Sequence, residues 1–233
     1  MMVLKMNYAT NSQSLSQNAK IPNTEQPLEP SQFQALTHVS DTVMTHLEGY
    51  LDLLCRWQAK INLVGKSTLN DPWRRHFLDS AQLYPLLPKE AHVIIDIGSG
   101  AGFPALVLAL MDSGNRRFHL VESDQRKGTF LREVIRLTNI RATVYPLRAE
   151  IYNGPRADVV TARACAPLEK LLNLAEPLHA VGGSGLYLKG ANYRDELTTA
   201  EKDWKMSFVQ HPSLSDPSGV ILQVEKFVRT NDG

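Results

Sequence analysis

Residues 94–110 read IIDIGSGAGFPALVLAL, an apolar run, three glycines within five positions and then a helical pattern. A strand ending at Ile97, a glycine-rich turn and a helix from about Pro104 would set close-approaching backbone at the carboxyl edge of a sheet. That is a cofactor geometry. The dinucleotide fingerprint G-x-G-x-x-G is excluded, because counting from Gly98 and Gly100 puts bulky Phe103 where the third glycine belongs. What stands instead is Asp96-x-Gly98-x-Gly100-x-Gly102.

The surrounding texture supports a sheet. After Pro88 short β-branched runs alternate with helical patterns: HVIIDI, FHLVE, ATVYPL, ADVVTA, GLYLK and GVILQVEKF. Such alternation predicts parallel strands with crossover helices. The run after the glycine turn ends in Glu122, where an acidic residue binds ribose hydroxyls in Rossmann-like sites; Asp124 is its rival. Before Pro88 the pattern is helical. Val43, Leu47, Tyr50, Leu51, Leu54 and Trp57 recur at three- and four-residue spacing between Glu29 and about Gly65, and a second helix is expected from Asp71 as N-cap with Pro72 behind it. Residues 1–28, rich in Asn, Ser and Gln, read as a flexible tail. GKST at 65–68 imitates a phosphate loop, but Lys60 stands where its first glycine is needed, and a helix precedes it.

Charge and cysteine usage narrow the classes. With 25 Lys plus Arg against 24 Asp plus Glu the net charge is +1, so only local clustering provides a basic surface. Residues 116–163 hold such a cluster, ten basic against five acidic side chains. Cys55 and Cys165 lack metal-ligand or disulfide spacing, so no metal site is expected and a reducing, cytoplasmic setting fits. No signal peptide or membrane-spanning run is legible, and no membrane partner is expected.

The glycine turn resembles the first motif of class I methyltransferases, which bind S-adenosyl-L-methionine (AdoMet). Together with INLVGKST (61–68), RHFLDSAQL (75–83), HLVESDQRKGTFLREV (119–134), RAE (148–150), ARACAPL (162–168) and LKG (188–190), it is similar to the RsmG (GidB) family of 16S rRNA guanine-N7 methyltransferases. The resemblance implies an α/β fold: a Rossmann-like class I domain over 91–233 with a seven-stranded, mostly parallel sheet, behind a helical extension over 29–90. It also implies AdoMet contacts at Gly98, Phe103, Ala149, Glu150 and Arg163, with Glu122 added from its strand-end position. The partner would be 16S rRNA in the small ribosomal subunit or an assembly intermediate, the product 7-methylguanosine at the guanine called 527, and the enzyme a monomer. One departure is Ala105, where the family commonly has glycine.

The implied chemistry asks for little acid–base machinery. Guanine N7 already carries an in-plane lone pair, so no general base is required and orientation carries the rate. Arg163 is the one candidate for a catalytic contact. ADVVTARACAPL lacks the Asn/Asp-Pro-Pro-aromatic motif of amino-group methylation, and Cys165 lacks the Pro-Cys pairing of pyrimidine methylation and reads as a buried small residue. His76 and Asp79 share a helix face and are expected to brace the glycine turn. Arg74, Arg75, Arg126, Lys127 and Lys189 are the expected RNA contacts. The rival readings are an AdoMet-dependent methyltransferase for another substrate and a non-catalytic RNA-binding or ribosome-assembly factor.

Overall fold

The computed structural model describes residues 26–112 and 114–230. The expected tail therefore lies outside the described residues except for its last three positions. Of these, Leu28 is buried in the core and its N–H donates to Asp71 Oδ1 at 2.8 Å, so it belongs to the packed structure and not to a tail.

The single long helical stripe is two helices. α1 (Pro30–Thr37) stops at His38, whose φ of 55° is left-handed, and α2 (Asp41–Gln58) restarts behind Ser40, whose Oγ accepts from Val43 N at 3.3 Å. Asp41 in the first turn and Arg56 in the last complement the dipole of α2. Its stripe buries Met44, Leu47, Tyr50, Leu53 and Leu54. The second helix begins where Asp71 and Pro72 place it: Asp71 Oδ1 accepts from Arg74 N at 3.3 Å. Its first part, Trp73–Leu78, is wound as a wide π-turn and runs into the short α3 (Asp79–Ala81).

The remainder alternates as the apolar runs predict: β1 (Val93–Ile97), α4 (Ala105–Met111), β2 (Arg117–Val121), α5 (Gln125–Thr138), β3 (Ala142–Tyr145), β4 (Ala157–Arg163), α6 (Leu168–Ala175), β5 (His179–Lys189), α7 (Tyr193–Ala200), β6 (Trp204–Pro212) and β7 (Val220–Arg229). The sheet order is β3-β2-β1-β4-β5-β7-β6, with the first five strands parallel and β7 antiparallel to both its neighbours. β6 has no counterpart among the runs read from sequence. It is an edge strand, WKMSFVQHP, mostly half-exposed, and its register is held by β7.

Both faces of the sheet are covered, which is why β1 is buried at all five positions. Ile94 packs in one apolar layer with Leu47, Tyr50 and Phe77 of the extension, Leu106 of α4 and Phe130 of α5. Val93, Ile95 and Ile97 face the other, with Leu171 and Leu172 of α6 and Leu197 of α7. The helical extension thus shares a core with the strand that carries the glycine turn. Ala105 is fully buried as the first residue of α4, a position that suits alanine.

Candidate cofactor and substrate site

Strand order reverses beside β1: β2 and β3 lie on one side of it, β4 and β5 on the other. A crevice forms at such a switch point, outside the carboxyl ends of the strands. The glycine turn occupies it. Gly98 has φ +64°, and a Cβ there would stand 2.5 Å from Cys165 Sγ. Gly102, at φ +93°, would drive a Cβ into Leu106 and to 2.9 Å from Tyr50 Oη. Only glycine satisfies both the backbone and the space at these positions.

Two side chains from outside the turn fix its path. Glu122 Oε2 accepts from Gly100 N at 2.7 Å while its Oε1 accepts from Asp124 N at 2.8 Å. On the opposite side Tyr50 Oη donates to the Ala101 carbonyl, and its ring stacks on Phe103 at 5.2 Å and 17°. Beneath the turn, Asp96 Oδ1 accepts from Thr161 Oγ1 at 2.7 Å, whereas Oδ2 is buried with no partner among the described residues. Burial pushes the Asp96 carboxyl up to about 7, against the opposing hydrogen bond from Thr161.

The turn opens into a cavity of about 810 Å³. Gly98 to Ala101 and Phe103 form its floor and Arg163 to Pro167, at and after the end of β4, one wall; Thr68, His76 and Asp79 of the extension, Leu188 to Gly190 at the end of β5, and Ser213, Ser215 and Asp216 before β7 also line it. Arg163 Nη1 donates to Asp79 Oδ2 at 3.2 Å and to the Arg75 carbonyl at 3.0 Å, and its guanidinium lies 4.8 Å from the Phe103 ring centre. Asp79 also accepts from Ser215 Oγ, so one carboxylate joins the extension, the end of β4 and the segment before β7.

His76 is not a base poised for proton removal. The Thr68 hydroxyl donates to the Gly65 carbonyl at 2.6 Å, which leaves it only as an acceptor for His76 Nε2–H at 2.8 Å. Burial, aided by Arg163 and Arg75, lowers His76 to about 3, and its neutral ring stacks on Phe103 at 4.9 Å. His76 and Asp79 brace the turn through Phe103 and Arg163 and are not hydrogen-bonded to each other.

The cofactor-side residues expected from sequence fall along one edge of the sheet. Ala149 and Glu150 lie in the turn after β3, Glu122 after β2, Gly98 and Phe103 after β1, and Arg163 at the end of β4. Gly98, Phe103 and Arg163 reach the cavity; Glu122, Ala149 and Glu150 occupy the β2–β3 side of the glycine turn.

Three expectations are corrected. Arg74 is buried, with Nε 2.9 Å from Asp71 Oδ2 and Nη2 3.0 Å from the Gln26 carbonyl; it anchors the segment before α1 and offers no charge to RNA. Lys189 lines the cavity, but its side chain is nearly covered and its Nζ is held by the Ala166 carbonyl at 2.7 Å and Glu196 Oε2 at 2.8 Å, so it ties down the loop after β4. Cys165 is exposed rather than buried, at the cavity wall against Gly98. Of the other expected RNA contacts, Arg75 is half-exposed and paired with Asp216, Arg126 is exposed beside Asp124, and Lys127 lines the cavity with no carboxylate partner among the described residues.

Sequence reasoning missed Tyr50 as a support of the turn; its signal was a phenol set in an otherwise aliphatic stripe, where a buried hydroxyl needs a partner. Ser215 and Asp216 carried no signal of their own.

Five parallel strands continued by an antiparallel hairpin, with a glycine turn after β1, define a class I methyltransferase fold. In solved structures the chain is similar to an O-methyltransferase from Bacillus cereus determined in complex with SAH, with a TM-score of 0.57 over 84% of this chain and 96% of that one at 14% identity. The sequence model of rRNA small subunit methyltransferase G matches residues 43–220. Proteins named ribosomal RNA small subunit methyltransferase G are 50% identical over 202 residues in Rhodospirillum rubrum, covering 87% of this chain and all of the relative. The Paramagnetospirillum magneticum protein of that name is 49% identical over 200 residues, covering 86% and 97%. The chain belongs to the rRNA small subunit methyltransferase G family.

Proposed function

We propose that the protein transfers a methyl group from AdoMet to N7 of one guanine, the one called 527, in the 16S rRNA of the small ribosomal subunit. The observation that carries this reading is the glycine turn at the strand-order switch, opening into a cavity walled by Arg163 and the loop after β4.

The residues present fit AdoMet. Gly98 leaves a cradle that any Cβ would fill. Glu122 stands at the end of β2, where a carboxylate accepts from ribose hydroxyls, and Ala149–Glu150 flank it after β3. With Gly98, Phe103 and Arg163 these residues would hold the cofactor, which supplies a methyl group made electrophilic by its sulfonium. The protein's share is alignment and exclusion of water. Arg163, clamped by Asp79 and the Arg75 carbonyl and lying against Phe103, is held in one orientation at the cavity wall. There it orients the acceptor base through its hydrogen-bonding edge. Burial, with Arg163 and Arg75 nearby, makes His76 a poor proton acceptor, consistent with a base that loses no proton before bond formation.

The test is transfer of labelled methyl from AdoMet to small subunits and 16S rRNA lacking the mark, followed by chemical cleavage at 7-methylguanosine. One cleavage at the expected guanine supports the assignment. AdoMet binding without transfer to either RNA form overturns the substrate; absence of AdoMet binding overturns the enzyme reading.

A further inference from the structure

A second groove, of about 290 Å³, lies away from the cavity between α2 and α5 and is lined by Leu53, Arg56, Trp57, Lys60 and Glu133. Its charge is one-sided. Glu133, the acid in it, is engaged: its Oε2 accepts from Trp57 Nε1 at 2.8 Å. Arg56 and Lys60 are exposed one helical turn apart near the end of α2, and Arg132 and Arg136, exposed and flanking Glu133, stand one turn apart on α5. Among the described residues none of these four has a carboxylate partner. The same chain segments also reach the cavity: Leu63, three residues after Lys60, and Lys127 of α5, six before Glu133, both line it. From Lys127 to Glu133 the helix rises roughly 9 Å.

Arg56 and Lys60 in the groove, with Arg132 and Arg136 exposed on the helix that forms its other side and also reaches the cavity, match a polyanion tracked by its backbone. We propose that the α2–α5 groove binds the phosphodiester backbone of the RNA strand whose base enters the cavity, with Arg56, Lys60, Arg132 and Arg136 contacting phosphates. The proposal rests on the RNA substrate inferred above. It moves the expected footprint from Arg74 and Lys189 to a face of the extension and α5.

The experiment compares the wild-type protein with the triple variant Arg56→Gln/Arg132→Gln/Arg136→Gln. A control triple, Lys202→Gln/Lys205→Gln/Lys226→Gln, neutralises exposed charges by the far β6–β7 edge of the sheet. Binding of an unmodified 16S rRNA transcript is followed over a potassium chloride series, beside AdoMet affinity by calorimetry and methyl transfer at subsaturating RNA.

Each lost phosphate contact lowers the salt slope by about 0.7 on single-stranded RNA, so the triple variant should lose about 2. Transfer should fall at least tenfold with AdoMet affinity unchanged, and the control should match wild type. An unchanged slope and rate in the triple variant, or an equal loss in the control, overturns the groove assignment. Should the triple variant fail to bind AdoMet through misfolding, Arg132→Gln and Arg136→Gln singly, each expected to cost about 0.7 of slope, decide the matter by the same criterion. Wild-type protein that transfers no methyl group to RNA overturns the substrate instead, and so the two failures are separable.

Discussion

Replacing Tyr50 by Phe removes one oxygen and leaves the ring stacked on Phe103, so the variant isolates the hydrogen bond to the Ala101 carbonyl. Tyr50 is fully buried, and burial raises its phenol well above the usual value, which keeps it a donor throughout the working pH range. No water replaces it at that depth. The stranded carbonyl then costs about 1–3 kcal/mol, or a fall in Tm of roughly 2–4 °C for each kcal/mol in a chain of this size. Because the carbonyl lies inside the cofactor turn, much of that cost is relieved when the turn relaxes from its binding form. The apparent AdoMet affinity falls by the fraction of molecules so relaxed. Once the relaxed form predominates, each further ~1.4 kcal/mol toward it weakens Kd about tenfold. Calorimetric titration with AdoMet and thermal unfolding of the same preparation test this, and kinetics should show KM for AdoMet raised with kcat little changed. A lowered Tm with wild-type Kd would refute the reasoning, since Tyr50 would then stabilise the fold without setting the turn.

Other outcomes follow from the same geometry. Gly98→Ala should weaken AdoMet binding more than tenfold, because φ +64° and the approach to Cys165 Sγ both oppose a Cβ; adding Cys165→Ala should recover only part, the backbone strain of about 1–2 kcal/mol remaining. Arg163→Lys keeps the charge but loses the planar guanidinium that lies against Phe103 while its Nη1 holds Asp79 and the Arg75 carbonyl, so methyl transfer should drop about a hundredfold with Tm nearly unchanged; full transfer would remove Arg163 from the site. His76 carries a sign that urea titration reads. Its folded pKa of about 3 lies below the unfolded 6.5, so its contribution is complete above pH 6.5 and is lost as pH falls toward 3. Asp96, raised from 3.8 to about 7, works oppositely, its contribution being lost as pH rises through 7. The test is therefore a difference: relative to wild type, His76→Gln should gain about 2 kcal/mol between pH 7.5 and pH 5, and a constant difference would show that His76 titrates normally.

Strands β1 to β5 and β7 were legible because burial on both faces, or a regular alternation, writes itself into consecutive residues. β6 was not, since an edge strand needs neither pattern and borrows its register from its neighbour. The break at His38 was hidden for a related reason: a left-handed residue before a Ser cap interrupts the helix without interrupting the apolar stripe.

The site divides along the same line. Positive-φ glycines are a property of the local backbone, and they were readable as such. Partners of charged side chains are not local: Arg163 finds Asp79 across 84 positions and Arg75 finds Asp216 across 141. Arg74 and Arg75 are adjacent, yet one turns inward to Asp71 and the other outward over the cavity. On a helix, neighbours differ by about 100° in direction, so a basic dipeptide carries no statement of which member meets solvent. The carboxylates that neutralise each cation decide that. A basic surface inferred from composition therefore has to be recounted after removing every cation whose own side chain is buried against a carboxylate, and that recount takes away Arg74 and Lys189 while leaving Arg56, Lys60, Arg132 and Arg136 without a carboxylate partner among the described residues.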